Sequence, residues 1–233
     1  MVHEEIRQAY QILGKEAKVY DGMITCSTLF GKAICKLVWD MKKADNDRYL
    51  QLALSGIPEE FCGKLLEVPV GTGVITMPVY RNIKRADITC LDYSAEMMRT
   101  AQHRAERLGL KNVEFLQGDV GALAFKDKYF DIVLSLNGFH AFPNKDAAYH
   151  ETFRVIKPGG FFCGCFYIKG ENPRTDWFIQ HFYKPKGFFT PPFETGETLK
   201  NRLELMYADV TMATVKSMAC FCCKKGESEL GNL

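Results

Sequence analysis

Leu65-Leu66-Glu67-Val68-Pro69-Val70-Gly71-Thr72-Gly73 is the stretch on which the fold turns. Four residues with strand character run into a glycine-rich loop, and a helical segment follows. Glycines let backbone N–H groups come close to a ligand, and a helix N-terminus favours negative charge. The plainer alternative is an ordinary strand-to-helix turn. Outward from this stretch, Asp87-Ile88-Thr89-Cys90-Leu91-Asp92 reads as a second strand, and its closing carboxylate falls 19 residues after Gly73. In open α/β sheets, ligands bind beyond the carboxyl ends of the strands.

Three more short runs follow: Val113 to Leu116, Phe130 to Leu136 and Gly160 to Ile168. Helical patterns at Ser94 to Leu108 and Lys145 to Val155 separate them. Strands alternating with helices imply right-handed βαβ units and a mostly parallel sheet. Residues 1 to 60 read as helical, with apolar spacing over Glu4 to Glu16, Ile24 to Met41 and Ala44 to Ser55, and Gly56-Ile57-Pro58 as the stop. Residues 170 to 197 combine four prolines with Trp177, Phe178, Phe182, Tyr183, Phe188, Phe189 and Phe193. Thr198 to Tyr207 reads as a helix, and Val210 to Met218 and Ala219 to Lys224 as closing strands. The expected fold is α/β: a Rossmann-like, doubly wound, seven-stranded sheet with its last strand antiparallel. A helical cap over 1–60 precedes the ligand-binding domain over 61–233, in which 170–197 is a lid or insertion.

Composition narrows the function. The 233 residues carry 30 Lys plus Arg against 28 Asp plus Glu, a net charge of +2. No basic stripe of the kind that grips nucleic acid is visible, and no apolar run approaches the ~18 residues needed to span a bilayer. Met1-Val2-His3-Glu4-Glu5 is acidic where a signal peptide is basic and then apolar. The nine cysteines lack the spacing of a disulfide scaffold. They read as buried, reduced thiols, with Cys163, Cys165, Cys220 and Cys222 on neighbouring strands, and the expectation is a cytoplasmic protein without metal.

The chemistry of the loop points to one ligand class. A dinucleotide fingerprint needs G-x-G-x-x-G; here the third glycine position is Thr76. Glu67 lies beside the loop, where a carboxylate repels a pyrophosphate and attracts an ammonium, and Asp92 can accept from ribose hydroxyls. A ligand bearing both an ammonium and a ribose satisfies the two.

Five stretches in order, Glu67 to Gly73, Leu91-Asp92-Tyr93-Ser94, Gln117-Gly118-Asp119-Val120, Phe130 to Asn137 and Val155 to Gly160, resemble the motifs of class I S-adenosylmethionine-dependent methyltransferases. The resemblance covers roughly residues 60 to 168 and departs from the family pattern at Pro69, which replaces a glycine and removes an N–H. It implies S-adenosylmethionine as methyl donor, with S-adenosylhomocysteine as product. Glu67 would hold the methionine amino group, Gly71, Thr72 and Gly73 would form the loop, and Asp92 would take the ribose hydroxyls. Asp119 and Val120 would meet adenine, Tyr93 and Met97 would pack on adenosine, and the Asn137 backbone would face the methionine portion. Tyr20-Asp21, placed between two N-terminal helices, resembles an aromatic–Asp pair of quinone-biosynthesis methyltransferases near the cofactor mouth. His140 stands after the fourth strand, where an imidazole could take a proton or simply order the loop.

The expected function is methyl transfer to a small molecule, by a monomer or homodimer with no nucleic-acid partner and no membrane insertion. The alternatives are a cofactor-binding protein of the same fold without catalysis, which Pro69 favours, and a nucleic-acid or protein methyltransferase. A nucleic-acid enzyme is opposed by the charge and by Asn137-Gly138-Phe139-His140 standing where an N/D-P-P-Y/F tetrapeptide would be.

Overall fold

The computed structural model describes residues 17–227; the helix expected over Glu4 to Glu16 lies outside the described residues. Among the described residues three helices lead, α1 (Ala17–Ile24), α2 (Leu29–Val38) and α3 (Lys43–Leu54). There follow β1 (Lys64–Glu67), α4 (Thr76–Tyr80), β2 (Asp87–Asp92), α5 (Ala95–Leu108), β3 (Val113–Gln117), β4 (Phe130–Leu136), α6 (Lys145–Val155) and β5 (Ile156–Tyr167). The chain closes with α7 (Pro173–Phe178), α8 (Gly196–Met206), β6 (Asp209–Val215) and β7 (Met218–Lys224). The seven strands form one sheet in the order β3-β2-β1-β4-β5-β7-β6. β1 to β5 pair in parallel, and β7 runs antiparallel to both neighbours. This is the expected Rossmann-like α/β sheet.

Alternation along the central strands builds two cores. Leu65, Ile88, Ile132, Leu134, Cys163 and Cys165 belong to one face, under α2 to α5. Leu66, Val133, Phe162, Phe166 and Phe221 belong to the other, with Tyr149 of α6 and Leu199 and Leu203 of α8. Helices on both faces bury both sides of the inner strands, which explains their near-continuous apolar runs. Capping fixes the helices around the site. Ser94 accepts from the Met97 N–H at the start of α5, and Gly109 closes that helix in the left-handed region.

The structure departs from the sequence reading in five places. The Ile24 to Met41 pattern is broken: Cys26 adopts a positive φ of 48° and α2 starts afresh, with Thr28 accepting from Gly31 N–H. Cys26 and Cys35 form a disulfide, so two of the nine cysteines are not free thiols. A nine-residue separation carried no recognisable spacing signal, and only the turn between α1 and α2 brings them together. Tyr20 and Asp21 lie within α1, not between helices. The helix after the glycine loop has five residues, too few for a sizeable dipole. The final hairpin turns at Lys216-Ser217, which gives Met218 to β7.

β5 and β7 place Cys163 opposite Cys222 and Cys165 opposite Cys220. The Cys163 and Cys222 sulfurs are 3.2 Å apart. The hydrogen bond to Cys222 and burial push the Cys163 thiol pKa up. Gly56, just beyond α3, sits so close that a Cβ there would lie 2.1 Å from the Cys163 sulfur. Among the described residues, no group of three or more His, Cys, Asp or Glu is placed to hold a metal ion.

One packing constraint is testable. A Cβ on Gly164, in the middle of β5, would lie 2.1 Å from the Ser135 carbonyl oxygen of β4. The obstacle is backbone, which cannot step aside. Gly164→Ala is expected to destabilise the fold by about 3 kcal/mol, at the upper end of overpacking effects, read as a fall in the urea midpoint. An unchanged midpoint would show that β4 and β5 can separate without loss.

Candidate functional site

β1, β2 and β4 end side by side, and their following loops enclose a cavity. Val70 N–H donates to the Leu91 carbonyl, and Gly71 N–H donates to Asp92 Oδ2 at 2.7 Å. The other Asp92 oxygen accepts from Ser94 N–H at 2.8 Å. Gly71 and Gly73 hold positive φ angles of 56° and 66°. A Cβ at Gly71 would meet no atom within 4 Å, so this glycine borders open space, whereas one at Gly73 would lie 3.2 Å from the Ala101 Cβ on α5. The first glycine opens the cradle and the second lets α5 close against it. Across the cavity Asn137 ends β4 with φ 55°. Gly138 lies so near Pro69 that a Cβ would approach its Cδ to 2.4 Å.

All eleven residues assigned to cofactor binding from the sequence line this one cavity: Tyr20, Glu67, Gly71, Thr72, Gly73, Asp92, Tyr93, Met97, Asp119, Val120 and Asn137. Asp119 also caps the short turn Val120–Ala122 by accepting from Gly121 N–H, so it has a structural duty as well as a cavity-facing position. Asp21 fastens the cap to the loop: its carboxylate accepts from Thr72 Oγ1 at 2.5 Å and from Arg104 of α5 at 2.6 Å. Tyr20, its neighbour on α1, is thereby held over the cavity.

Burial governs the electrostatics. Glu67 is 1% exposed and accepts from the Tyr80 hydroxyl at 2.8 Å. Burial raises its carboxyl to about 8, and raises that of Asp92 to about 6 against the opposing pull of its backbone donors. Without a ligand, Glu67 is therefore mostly neutral at pH 7, where the sequence reading took a standing negative charge.

A second, roomier cavity of about 410 Å³ adjoins the first. Tyr20, Ile24 and Asn137 line both. Its other walls come from α2, α3 and the aromatic segment, among them Trp39, Met41, Tyr49, Tyr183, Phe188 and Phe189. Sequence reasoning did not single out Trp39, Met41 and Tyr49. Their periodicity marks them only as core, and the segments that meet here are more than 100 residues apart. Of the aromatic segment, Phe178 and Phe182 reach this cavity, while Trp177 is 51% exposed and stacks on His181.

His140 lines the second cavity and not the first. Its ring stacks on Phe189 with centroids 4.0 Å apart, and Tyr167 N–H points at its Nδ1 from 3.4 Å. Burial, aided by the Lys145 charge, lowers its pKa to about 3. Lys145 itself donates to the Thr190 carbonyl and hydroxyl, bracing this loop against the aromatic segment.

The geometry defines a class of protein. Residues 65–160 match the family model of a methyltransferase domain. The architecture, with glycine loop and strand-end carboxylates at one switch point, has the fold of class I S-adenosylmethionine-dependent methyltransferases, and residues 65–160 carry the match to that domain. Among curated relatives, a ubiquinone/menaquinone biosynthesis C-methyltransferase of Bartonella henselae is 34% identical over 121 residues, 51% of this chain and 46% of that protein. The chain spans about half the length of the curated relatives that it matches. Two solved structures share the fold at 19% identity. The cyclase SpnF has a TM-score of 0.70, with 95% of this chain and 96% of that chain covered. A methyltransferase from Thermotoga maritima has a TM-score of 0.64, with 93% and 99% covered. No helix among the described residues is long and apolar enough to cross a membrane.

The pH dependence of the ligand-free protein follows from Glu67. Its carboxyl rises from an ordinary value near 4.5 to about 8 on folding. The stabilisation from the retained proton is therefore fully present below pH 4.5 and is lost as pH rises through 8. The Asp92 shift ends near pH 6, so from 6 to 8 Glu67 acts alone of the two. In that window wild-type stability is expected to fall by about 1.4 kcal/mol per pH unit more than that of Glu67→Gln. Parallel curves from urea unfolding would refute the shift.

Proposed function

We propose that this protein transfers a methyl group from S-adenosylmethionine to a small, largely apolar acceptor, with the donor in the first cavity and the acceptor in the second. The observation that carries the reading is the shared wall: the cavity lined by all eleven anticipated donor-binding residues meets an aromatic-rich cavity at Tyr20, Ile24 and Asn137. Bound there, the donor would supply an electrophilic methyl group on a sulfonium.

The residues present fit that molecule. Asp92, pinned by two N–H donors, offers its remaining lone pairs to ribose hydroxyls. Glu67 gives the ammonium a buried partner, and Gly71 leaves room for close backbone approach. Tyr93, partly exposed, and Met97 flank the adenosine position, with Asp119 and Val120 N–H at the adenine edge. The acceptor side supplies positioning and exclusion of water. His140 is neutral, its Nδ1 engaged by Tyr167 N–H, and we assign it to loop order and cavity shape, not to proton transfer. The 170–197 segment, anchored through Phe189 and Lys145–Thr190, forms the outer wall as a partial lid. The quinone chemistry in the name of the Bartonella henselae relative agrees with an apolar acceptor. A cofactor-binding protein without catalysis is the reading that Pro69 favours, and turnover with any acceptor excludes it.

Two measurements test the donor site. S-adenosylhomocysteine should bind at micromolar levels and NAD not measurably. Asp92→Ala should weaken binding tenfold or more, because charge-assisted hydrogen bonds contribute roughly 1.5–3 kcal/mol each; unchanged affinity by calorimetry would remove Asp92 from the site. An arriving ammonium also lowers the Glu67 pKa from about 8. Binding at pH 7 should therefore release close to one proton per ligand, detected by calorimetry in buffers of different ionisation enthalpy. Glu67→Gln should abolish the release; an equal release from that variant would place the proton elsewhere.

A further inference from the structure

Apolar side chains gather on the outside of the protein at one place. Among the described residues eight large apolar side chains are exposed, and five of them lie on two neighbouring elements. Leu29 (87% exposed), Phe30 (60%) and Leu37 (54%) belong to α2, and Trp177 (51%) and Phe182 (48%) to the aromatic segment. Arg174 and Thr175 of α7 join the two elements by donating to the Lys36 and Val38 carbonyls. Phe30 and Leu37 on one side, and Phe182 on the other, also line the second cavity. The exposed groups are therefore the lips of its mouth, and an apolar patch of this kind marks a surface that meets an apolar body.

Charge decides which body. Successive residues of a helix are turned by about 100°. A walk round α2 outward from buried Cys35 meets Lys32 and Lys36, then Leu29, Ala33, Leu37 and Phe30, and ends on Ile34 and Val38 in the cavity wall. α2 contains no acidic residue, and on the aromatic segment Lys186 lines the same cavity. Residues 29–40 and 171–190 carry five Lys and Arg against three Asp and Glu. Two of those acids are engaged, Asp40 with Arg174 and Lys216, and Asp176 with the Tyr167 hydroxyl. Lysines beside an apolar stripe suit the headgroup layer of an anionic bilayer, where phosphates meet the cations and the acyl boundary takes the apolar groups.

We infer that this face docks on the surface of an anionic phospholipid bilayer. Leu29, Phe30, Leu37, Trp177 and Phe182 enter the headgroup–acyl boundary, Lys32, Lys36 and Lys186 meet lipid phosphates, and the second cavity opens onto the lipid. The contact is peripheral, with no segment crossing the bilayer. It rests on the reading of the second cavity as the acceptor's place only for what enters: an apolar acceptor dissolved in the bilayer reaches the cavity without crossing water.

The test is flotation of the full chain with vesicles of phosphatidylcholine, alone or with about one third phosphatidylglycerol, with neither reactant present. Wild type should float with the phosphatidylglycerol vesicles. Lys32→Gln with Lys36→Gln should weaken that binding roughly thirtyfold, as expected for two lysines at an anionic surface. Leu29→Ser with Trp177→Ser should weaken it tenfold or more, through the apolar area no longer buried. None of these four residues lines either cavity, so S-adenosylhomocysteine affinity equal to that of wild type shows that both variants are folded. No flotation of wild type, or flotation that neither pair of substitutions weakens, would overturn the inference. So would a dimer in sedimentation that Leu29→Ser dissociates, because a second copy of the chain would then cover the face. Flotation by a wild type that fails to bind S-adenosylhomocysteine would overturn the methyl-transfer reading and leave this one standing; turnover without flotation would do the reverse.

Discussion

The hydrogen bond from Gly71 N–H to Asp92 is the constraint from which the site is built. It spans the ends of two parallel strands and binds the glycine loop to the start of the next crossover. A carboxylate 5% exposed would be a liability if left alone. Two backbone donors hold it instead, and the same donors fix the loop. Gly71 can then sit at a positive φ with open space beside it, and Gly73 can let α5 pack close. Fold and site are one arrangement here: the bond that stabilises the strand ends also aims a carboxylate into the cavity.

The helical cap extends this logic. α2 and α3 share a core with the sheet, through Cys35, Met41, Tyr49 and Ala53 on the face that carries Cys163 and Cys165. Asp21 ties the cap to the loop and to α5 at once, in an ion pair with both side chains mostly buried. Removing one member would leave a charge without its partner in a poorly hydrated place, so the arrangement specifies geometry more than it adds stability. Tyr20 inherits its position from that network.

The central fold was legible because it rests on local rules. Strand periodicity, the glycine loop and the Ser94 to Leu108 and Lys145 to Val155 patterns each follow from nearby residues. Most of the cavity-lining residues could be named in advance because they stand at or just beyond strand ends, where topology determines what they face; Tyr20 on α1 and Met97 on α5 are the exceptions. What stayed hidden depends on distant segments. Neither Trp39 nor Phe189 announces a cavity, since their meeting is decided by how both rings pack on Tyr167 of β5. The Cys26–Cys35 pair depended on a left-handed residue that ends α1, which no propensity marks in a cysteine. Protonation was misjudged for a related reason: Glu67 looks like a permanent anion in the sequence, and only the depth at which β1 ends makes it neutral.

Tyr20, Ile24 and Asn137 form a partition with a working face on each side. Because the two chambers share these three walls, they are neighbours. On the function proposed above, a synthetic molecule that joined an adenosine-like half to an apolar half through a bridge past Asn137 would engage both chambers. Its second half would meet its chamber at the high effective concentration set by the tether. On the same function, such a bridged compound would resemble neither reactant alone but the two together, the state to which a catalyst is most complementary.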